Sequence, residues 1–232
     1  MVGFVKLSVA VVLFPFALGL LKSFGKLFSS LFPLSSSEGW FLSGFVIFFA
    51  IFLVKSIPGR LYVFGHELTH AFWAILFRGK VKEFNVSSKN GSVVTTKSNF
   101  LISLAPYFFP IYTFLIIFIF YILSLAFPVS PKESIWTRYV EWLFFFVGFS
   151  YSFHIFLTLE SLLIGQSDVR KTGKIFSYII IAILNIIIAV VMLKFITPDK
   201  IALKRYFFES WTIALSIYKF VWWHLTKFYN LI

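Results

Sequence analysis

The sequence predicts an all-α polytopic membrane protein with about six transmembrane helices and a short β-hairpin after the third of them. Of its 232 residues, 59% are apolar and only 13% are charged, whereas about 25% are charged in soluble domains. Several apolar runs reach the roughly 20 residues that cross a hydrocarbon core of about 30 Å. The chain is therefore expected to span a bilayer, with little left over for a soluble domain.

Apolar runs give the predicted spans, at residues 2–21, 40–54, 61–77, 100–127, 140–164 and 175–197. The first run is interpreted as a span rather than a signal peptide, because no small-residue cleavage site follows it. The fourth run is too long for one straight crossing and contains Pro106 and Pro110. Its first third is therefore expected to be a separate interfacial or re-entrant piece that leads into a helix from about Ile111.

The segment at residues 81–97 alternates apolar and polar residues around Asn90-Gly91, a dipeptide that suits a type I′ turn. A short β-hairpin is predicted there, with a polar loop as the alternative. Residues 201–232 mix basic and aromatic side chains, which predicts an interfacial amphipathic tail. No repeat or linker divides the chain, so residues 1–232 are interpreted as a single membrane domain with a core at about 61–197.

The formal charge of +12 is interpreted as a signal of topology rather than of nucleic-acid binding, because the basic residues lie mostly between the apolar runs. By the positive-inside rule, the side of the membrane whose loops carry more basic residues is the cytoplasmic side. That side carries Lys22, Lys26, Arg78, Lys80, Lys82, Lys89, Lys97, Arg170, Lys171 and Lys174, against Lys6, Lys55, Arg60, Lys132 and Arg138 on the other side before the tail. The chain has no cysteine, so a metal site would need nitrogen and oxygen ligands.

The segment FGHELTH places His66, Glu67 and His70 in an H-E-x-x-H pattern inside the third apolar run. Residues four apart lie on almost one face of an α-helix, so both imidazoles can reach one Zn²⁺. The glutamate beside them can take a proton from the attacking water. Ionisable groups cost about 2.5 to 3.5 kcal/mol at the centre of a span, so a shared function is expected. The pattern indicates metal-assisted hydrolysis, and a proton relay or a buried hydrogen-bond cluster is the alternative.

GHELTHAFWAILFRGKV, followed by a glycine-containing hairpin and then LISLAPYFFP, resembles the catalytic region of the site-2-protease-like intramembrane zinc metalloproteases, particularly their small M50B-like bacterial branch. The resemblance is strongest over residues 64–110. It implies that His66 and His70 bind Zn²⁺, that Glu67 is the general base and that a later aspartate completes the site. It also implies a multi-pass protein of a bacterial cytoplasmic membrane, and the loop charges put the site toward the cytoplasmic side.

The third zinc ligand is expected from a separate, later segment of the chain. The family usually supplies it from an Asn/Pro-containing segment ending in Leu-Asp-Gly, which this chain lacks. The counterpart is GQSDVRKTG, where Asp168 is the expected ligand, and a loop aspartate paired with Arg170 or Lys171 is the other interpretation. His154 and Glu160 in the fifth run rank after it, and a core histidine and an acceptor that orients an imidazole are their alternative roles.

These observations predict an intramembrane zinc metalloprotease that hydrolyses peptide bonds of membrane-protein substrates, with Zn²⁺ held by His66, His70 and Asp168. Its partners would be a membrane-protein or peptide substrate and the lipid bilayer, with no nucleic acid, and the hairpin would hold the substrate as an added strand. The alternatives are a transporter or binding protein that uses the His/Glu cluster for protons or metal, a hydrolase of a non-peptide substrate, and an inactive relative that keeps the motif. The oligomeric state is not predicted.

Overall fold

The computed structural model describes residues 2–54, 59–87, 90–127 and 134–229. Helices make up most of it, together with a small antiparallel hairpin. In chain order the elements are α1 (Val2–Ser29), α2 (Ser36–Val54), α3 (Gly59–Leu76), β1 (Val81–Val86), β2 (Gly91–Thr95), α4 (Phe100–Leu104) with a 3₁₀ turn (Ala105–Tyr107), α5 (Ile111–Ala126), α6 (Ser134–Ile164), α7 (Ser167–Thr172), α8 (Lys174–Ile196) and α9 (Leu203–Tyr229).

In the described part of the chain four helices, α1, α2, α6 and α8, are long and apolar enough to cross a membrane. The pair of α4 and α5 gives a fifth crossing if its two pieces form one span. To this extent the predicted helical membrane fold with a small hairpin is confirmed. Within the described ranges α3 does not meet the same requirement, because Arg60, His66, Glu67 and His70 lower its mean hydropathy. The count of six spans stays a prediction.

The chain divides into two compact units, Leu34–Arg170 and the combination of Met1–Pro33 with Lys171–Ile232. In the second of these, α9 packs on α1, and the Tyr206 hydroxyl donates a hydrogen bond to the Leu20 carbonyl oxygen at 2.8 Å. The single-domain interpretation and the interfacial position of the tail stay predictions.

In the unit Leu34–Arg170, helices α2 and α6 pack with their backbones in close contact. A Cβ atom added at Gly44 would collide with the carbonyl oxygen of Phe145, and one added at Gly148 would collide with that of Phe41. Small residues allow such close approach between membrane helices. This packing fixes the course of α6, whose C-terminal end leads to the candidate site described below.

The predicted break in the fourth apolar run lies where the prolines indicate. The pieces on either side meet at 79°, and α5 begins at Ile111, directly after Pro110. Asn99 caps the short first helix, its side-chain oxygen accepting a hydrogen bond from the Ile102 amide at 2.9 Å. The interfacial or re-entrant character of this first piece stays a prediction.

The hairpin follows α3, but its turn differs from the predicted type I′ turn at Asn90-Gly91. Val86 pairs with Gly91, so Gly91 is the first residue of β2 and the connecting loop has four residues rather than two. The Ser87 amide donates to the Asn90 carbonyl oxygen at 2.8 Å, and the Ser87 hydroxyl donates to the same oxygen at 2.7 Å, which closes this wider loop. The dipeptide was interpreted as a turn signal, whereas Gly91 packs directly against α3.

Candidate metal site

His66 and His70 lie one turn apart on α3, and their Nε2 atoms are 3.2 Å from each other. The Nδ1 of His70 lies 2.8 Å from the carbonyl oxygen of Ile102. Because a carbonyl can only accept, Nδ1 must donate this hydrogen bond. In the neutral imidazole, Nε2 of His70 therefore keeps its lone pair, directed toward the space beside His66.

The carbonyl oxygen that orients His70 is available because of a proline. In a continuing helix, the oxygen of Ile102 would accept the N–H of the residue four positions later. That residue is Pro106, which has no N–H to donate. The break in the helix thus supplies the acceptor that a metal-binding imidazole ordinarily finds in a carbonyl or carboxylate. The sequence analysis did not identify Ile102, although Pro106 was a visible signal for it.

Asp168 reaches the two imidazoles from the far end of α6. That helix ends at Ile164, and Gly165 then has φ +84°, in the left-handed region that favours glycine. The chain turns there into α7, which carries Asp168 in its first turn. A carboxylate oxygen of Asp168 lies 3.6 Å from Nε2 of His66 and 3.4 Å from Nε2 of His70.

The three side chains proposed as metal ligands therefore converge, with one ligand atom from each within 4.8 Å of the others. Two atoms bound at about 2.0 to 2.2 Å to a tetrahedral zinc ion are separated by about 3.3 to 3.6 Å. The observed separations of 3.2, 3.4 and 3.6 Å agree with that spacing to within about 0.1 Å on all three sides of the triangle. Two imidazole nitrogens and one carboxylate oxygen are also a donor set of catalytic zinc sites, which keep a fourth position open.

The charge of the third side chain suits this site. Burial raises the pKa of the Asp168 carboxyl, but its interactions with His66 and His70 outweigh burial and hold the pKa well below its ordinary value. The side chain is one quarter exposed. Within the described chain no ion pair joins it to Arg170, one of the two partners, with Lys171, expected for a loop aspartate.

The other two residues that the sequence offers as a third metal ligand lie outside this group. Glu160 is exposed on α6. His154 is buried and lines a cavity beside His66, but it is not one of the clustered ligand atoms among the residues described. Of the three alternatives, the fold brings Asp168 alone to the pair of imidazoles.

Tyr107 adds a contact that the sequence analysis missed. Its side chain is fully buried, and its hydroxyl donates a hydrogen bond to Asp168 at 3.3 Å. Its ring also meets that of His66 edge-on, with centroids 5.3 Å apart. One residue thus touches two of the three candidate ligands. The sequence signal for Tyr107 is its position in APYFFP, the segment where the two prolines predict a break in the fourth apolar run.

Glu67 lies on the neighbouring flank of α3, beneath the hairpin. Its side chain is 8% exposed. A Cβ atom added at Gly91 would lie 2.6 Å from Cγ of Glu67 and 2.8 Å from its Oε1, so the backbone of Gly91 lies directly against this side chain. The ring of Phe84 in β1 packs edge-on against Phe64 at 5.9 Å and helps to fix the hairpin on the helix.

Together these residues form a partly buried set of metal-type ligands, with a carboxyl beside it and a two-stranded sheet above that carboxyl. Such a set can bind a divalent cation and move a proton next to it. Comparison of the chain with protein-family models, with curated proteins and with solved structures finds no match.

Proposed function

We propose that this protein is an intramembrane zinc metalloprotease of the site-2-protease type, which hydrolyses peptide bonds of membrane-protein substrates. The observation that carries the proposal is the triangle of His66, His70 and Asp168, with Glu67 beside it. Its edges have the spacing of ligands around a tetrahedral zinc ion. In a proton relay each group needs to contact only the next group in the chain of transfers. In this triangle, each of the three ligand atoms is close to both of the others.

Two imidazole nitrogens and one carboxylate oxygen would hold Zn²⁺, and the chemistry that this ion supplies is Lewis-acid activation of water and of the scissile carbonyl group. Glu67 would accept the proton of the attacking water and deliver it to the leaving amine. The carbonyl of Ile102 keeps His70 in the required tautomer, and the Tyr107 hydroxyl holds the Asp168 carboxylate in place.

The substrate would bind as an added strand at the hairpin. Among the described residues the sheet contains β1 and β2 alone, so each strand has an edge that is unpaired within the sheet. An extended peptide can pair with such an edge through its main chain, independently of its sequence. A helical substrate must unwind first, because a helical carbonyl is already hydrogen-bonded.

In this proposal α3 lies within the bilayer together with the bent pair of α4 and α5, which gives six membrane segments. The buried polar groups of α3 support this position, since they face the protein interior rather than lipid. The excess of basic residues in one set of loops supports a cytoplasmic position of the site in a bacterial membrane.

The direct test is to measure zinc and peptide cleavage on the same purified protein. We expect about one zinc per chain by inductively coupled plasma mass spectrometry. We also expect cleavage of apolar, quenched fluorescent peptides that stops after treatment with 1,10-phenanthroline and returns when zinc is added back. Protein that is free of metal as purified, binds no added zinc and carries proton-coupled flux in vesicles would instead support the transporter.

A second prediction concerns the contact between the hairpin and Glu67. The Cβ of Gly91→Ala would displace either Glu67 or the hairpin, and a displacement of about 1 Å at a reacting group can cost about 100-fold in rate. We expect this loss in cleavage with zinc content unchanged. Ser92→Ala, at an exposed position of the same strand, is the matched control and should keep the full rate. Equal rates for the two variants would contradict the placement of Glu67 under the hairpin.

A further inference from the structure

The two candidate histidine ligands differ in how their second ring nitrogen is held. Nδ1 of His70 donates a hydrogen bond to the carbonyl oxygen of Ile102. Nδ1 of His66 is also buried, but it makes no hydrogen bond to any residue in the described ranges. A histidine that binds a metal through Nε2 carries its proton on Nδ1, and that N–H ordinarily donates to an acceptor that orients the ring. His66 therefore needs a partner that is not one of the described residues.

A small cavity lies against His66. Its volume is about 20 Å³, and roughly 10 to 15 Å³ is enough to hold one water molecule. Four polar side chains contribute to its walls, namely those of Tyr62, His66, Thr69 and His154. A buried water ordinarily makes about three hydrogen bonds to groups of this kind. The cavity thus has the size and the chemistry of a site for a single water.

Tyr62 shares this cavity with His66. It precedes His66 by four residues, so the two side chains lie on one face of α3, with ring centroids 5.9 Å apart. The Tyr62 hydroxyl oxygen is buried, and it makes no hydrogen bond of ordinary geometry within the described part of the chain. Two residues with a buried, unbonded polar atom therefore line one cavity that has room for a water.

Helix α6 continues this polar region. Thr158 and Ser161 lie one turn apart on one face of α6, and Ser161 lies near the Tyr62 hydroxyl. The hydroxyl oxygens of Thr158 and Ser161 are buried and also make no hydrogen bond to another described residue. Buried polar groups without protein partners ordinarily mark a bound water, a bound ion or a reactive group. Hydroxyl groups carry no charge to hold an ion, so a water is the ligand that fits them.

We propose that one water molecule, held in this cavity by the Tyr62 hydroxyl, is the hydrogen-bond partner of Nδ1 of His66 and orients that imidazole for metal binding. The role in metal binding rests on the proposed function, but it does not depend on peptide cleavage. Tyr62 is then a positioning residue, which acts through the water and His66. The Thr69 hydroxyl donates to the Gly65 carbonyl oxygen at 2.7 Å, so its oxygen can still accept a hydrogen bond from the same water.

A water suits His66 better than a carbonyl oxygen would, because a water can both donate and accept. Nε2 of His66 lies 3.2 Å from Nε2 of His70, which keeps its lone pair. In the metal-free protein His66 can therefore donate from Nε2 and accept at Nδ1. Once Nε2 binds a metal, the proton lies on Nδ1 instead. A water serves both tautomers with the ring in one orientation, whereas a carbonyl serves only the second.

The first test measures zinc affinity by competition with a chromogenic chelator in detergent. Tyr62→Phe keeps the ring and removes only the hydroxyl, and we expect a loss of about 10-fold. Ile111→Phe places a larger apolar ring in the wall of the cavity, displaces the water and should cause a similar loss. Tyr112→Phe is the matched control, because it removes a hydroxyl that is already bonded to the Leu61 carbonyl oxygen, and it should keep the wild-type affinity. Wild-type affinity in Tyr62→Phe or in Ile111→Phe would overturn the proposal.

The second test does not require zinc. The chain has four histidines, so labelling with [15N]histidine gives four imidazoles to resolve by nuclear magnetic resonance. In the metal-free protein, we expect the Nδ1 signal of His66 to shift in Tyr62→Phe and to stay unchanged in Tyr112→Phe, since only the first hydroxyl holds the water. An unchanged signal in Tyr62→Phe would also overturn the proposal.

The two proposals fail in different ways. If the wild-type protein binds no zinc but the Nδ1 signal shifts as expected, the proposed protease function is wrong and the water site stands. If the protein binds zinc and cleaves peptides while Tyr62→Phe changes neither the zinc affinity nor the signal, the protease function stands and the water site is wrong.

Discussion

Glu67→Gln is expected to leave the protein folded and loaded with zinc, while it lowers the rate of peptide cleavage by about 10²- to 10⁴-fold. A glutamine amide has nearly the size of the carboxyl that it replaces, so it fits beneath the backbone of Gly91. It cannot accept a proton from water, however, and that transfer is the role proposed for Glu67. The candidate ligands His66, His70 and Asp168 are untouched by the change.

This result requires three measurements on one preparation: the cleavage rate, the zinc content and the temperature of unfolding in detergent. Glu160→Gln is the matched control, because it makes the same chemical change at an exposed position of α6. It should keep all three values. Cleavage by Glu67→Gln at the wild-type rate would refute Glu67 as the base, and loss of zinc in that variant would assign Glu67 to the metal ligands instead.

The sequence predicts the site best where helix geometry alone decides. Two histidines four residues apart must lie on one face of α3, so the pairing of His66 with His70 follows from their spacing. Asp168 is a different case, since it lies almost a hundred residues later and the usual family segment is missing. It reaches the site because Gly165 adopts a left-handed conformation and turns the chain, a property of the backbone that spacing does not reveal.

Contacts made by main-chain groups were the hardest to predict. The carbonyl of Ile102 carries no side-chain signal, and only the missing N–H of Pro106 marks it as free. For Asn90-Gly91 the signal was clear but the prediction was wrong. The dipeptide suits a two-residue turn, whereas Gly91 is the first residue of β2 and lies in close contact with Glu67. In both cases the role of a residue depends on a segment distant in sequence.

The second large effect is expected at the third ligand: Asp168→Ala should weaken zinc binding by more than about 100-fold. Loss of a group that merely orients a ligand already costs about 10- to 100-fold in metal affinity, and loss of a ligand should cost more. Affinity is measured by competition with a chromogenic chelator in detergent. His154→Ala and Glu160→Ala, at the two residues considered as alternatives, should bind zinc as the wild type does.

Tyr107→Phe separates the ligand from the residue that positions it. The variant keeps the ring that packs against His66 and removes only the hydroxyl that donates to Asp168, so we expect a loss of about 10-fold in zinc affinity. In the double variant with Asp168→Ala, removal of that hydroxyl should have no further effect, because its partner is already gone. If His154→Ala rather than Asp168→Ala lost the metal, the third ligand would come from α6 and the short helix α7 would have no part in the site.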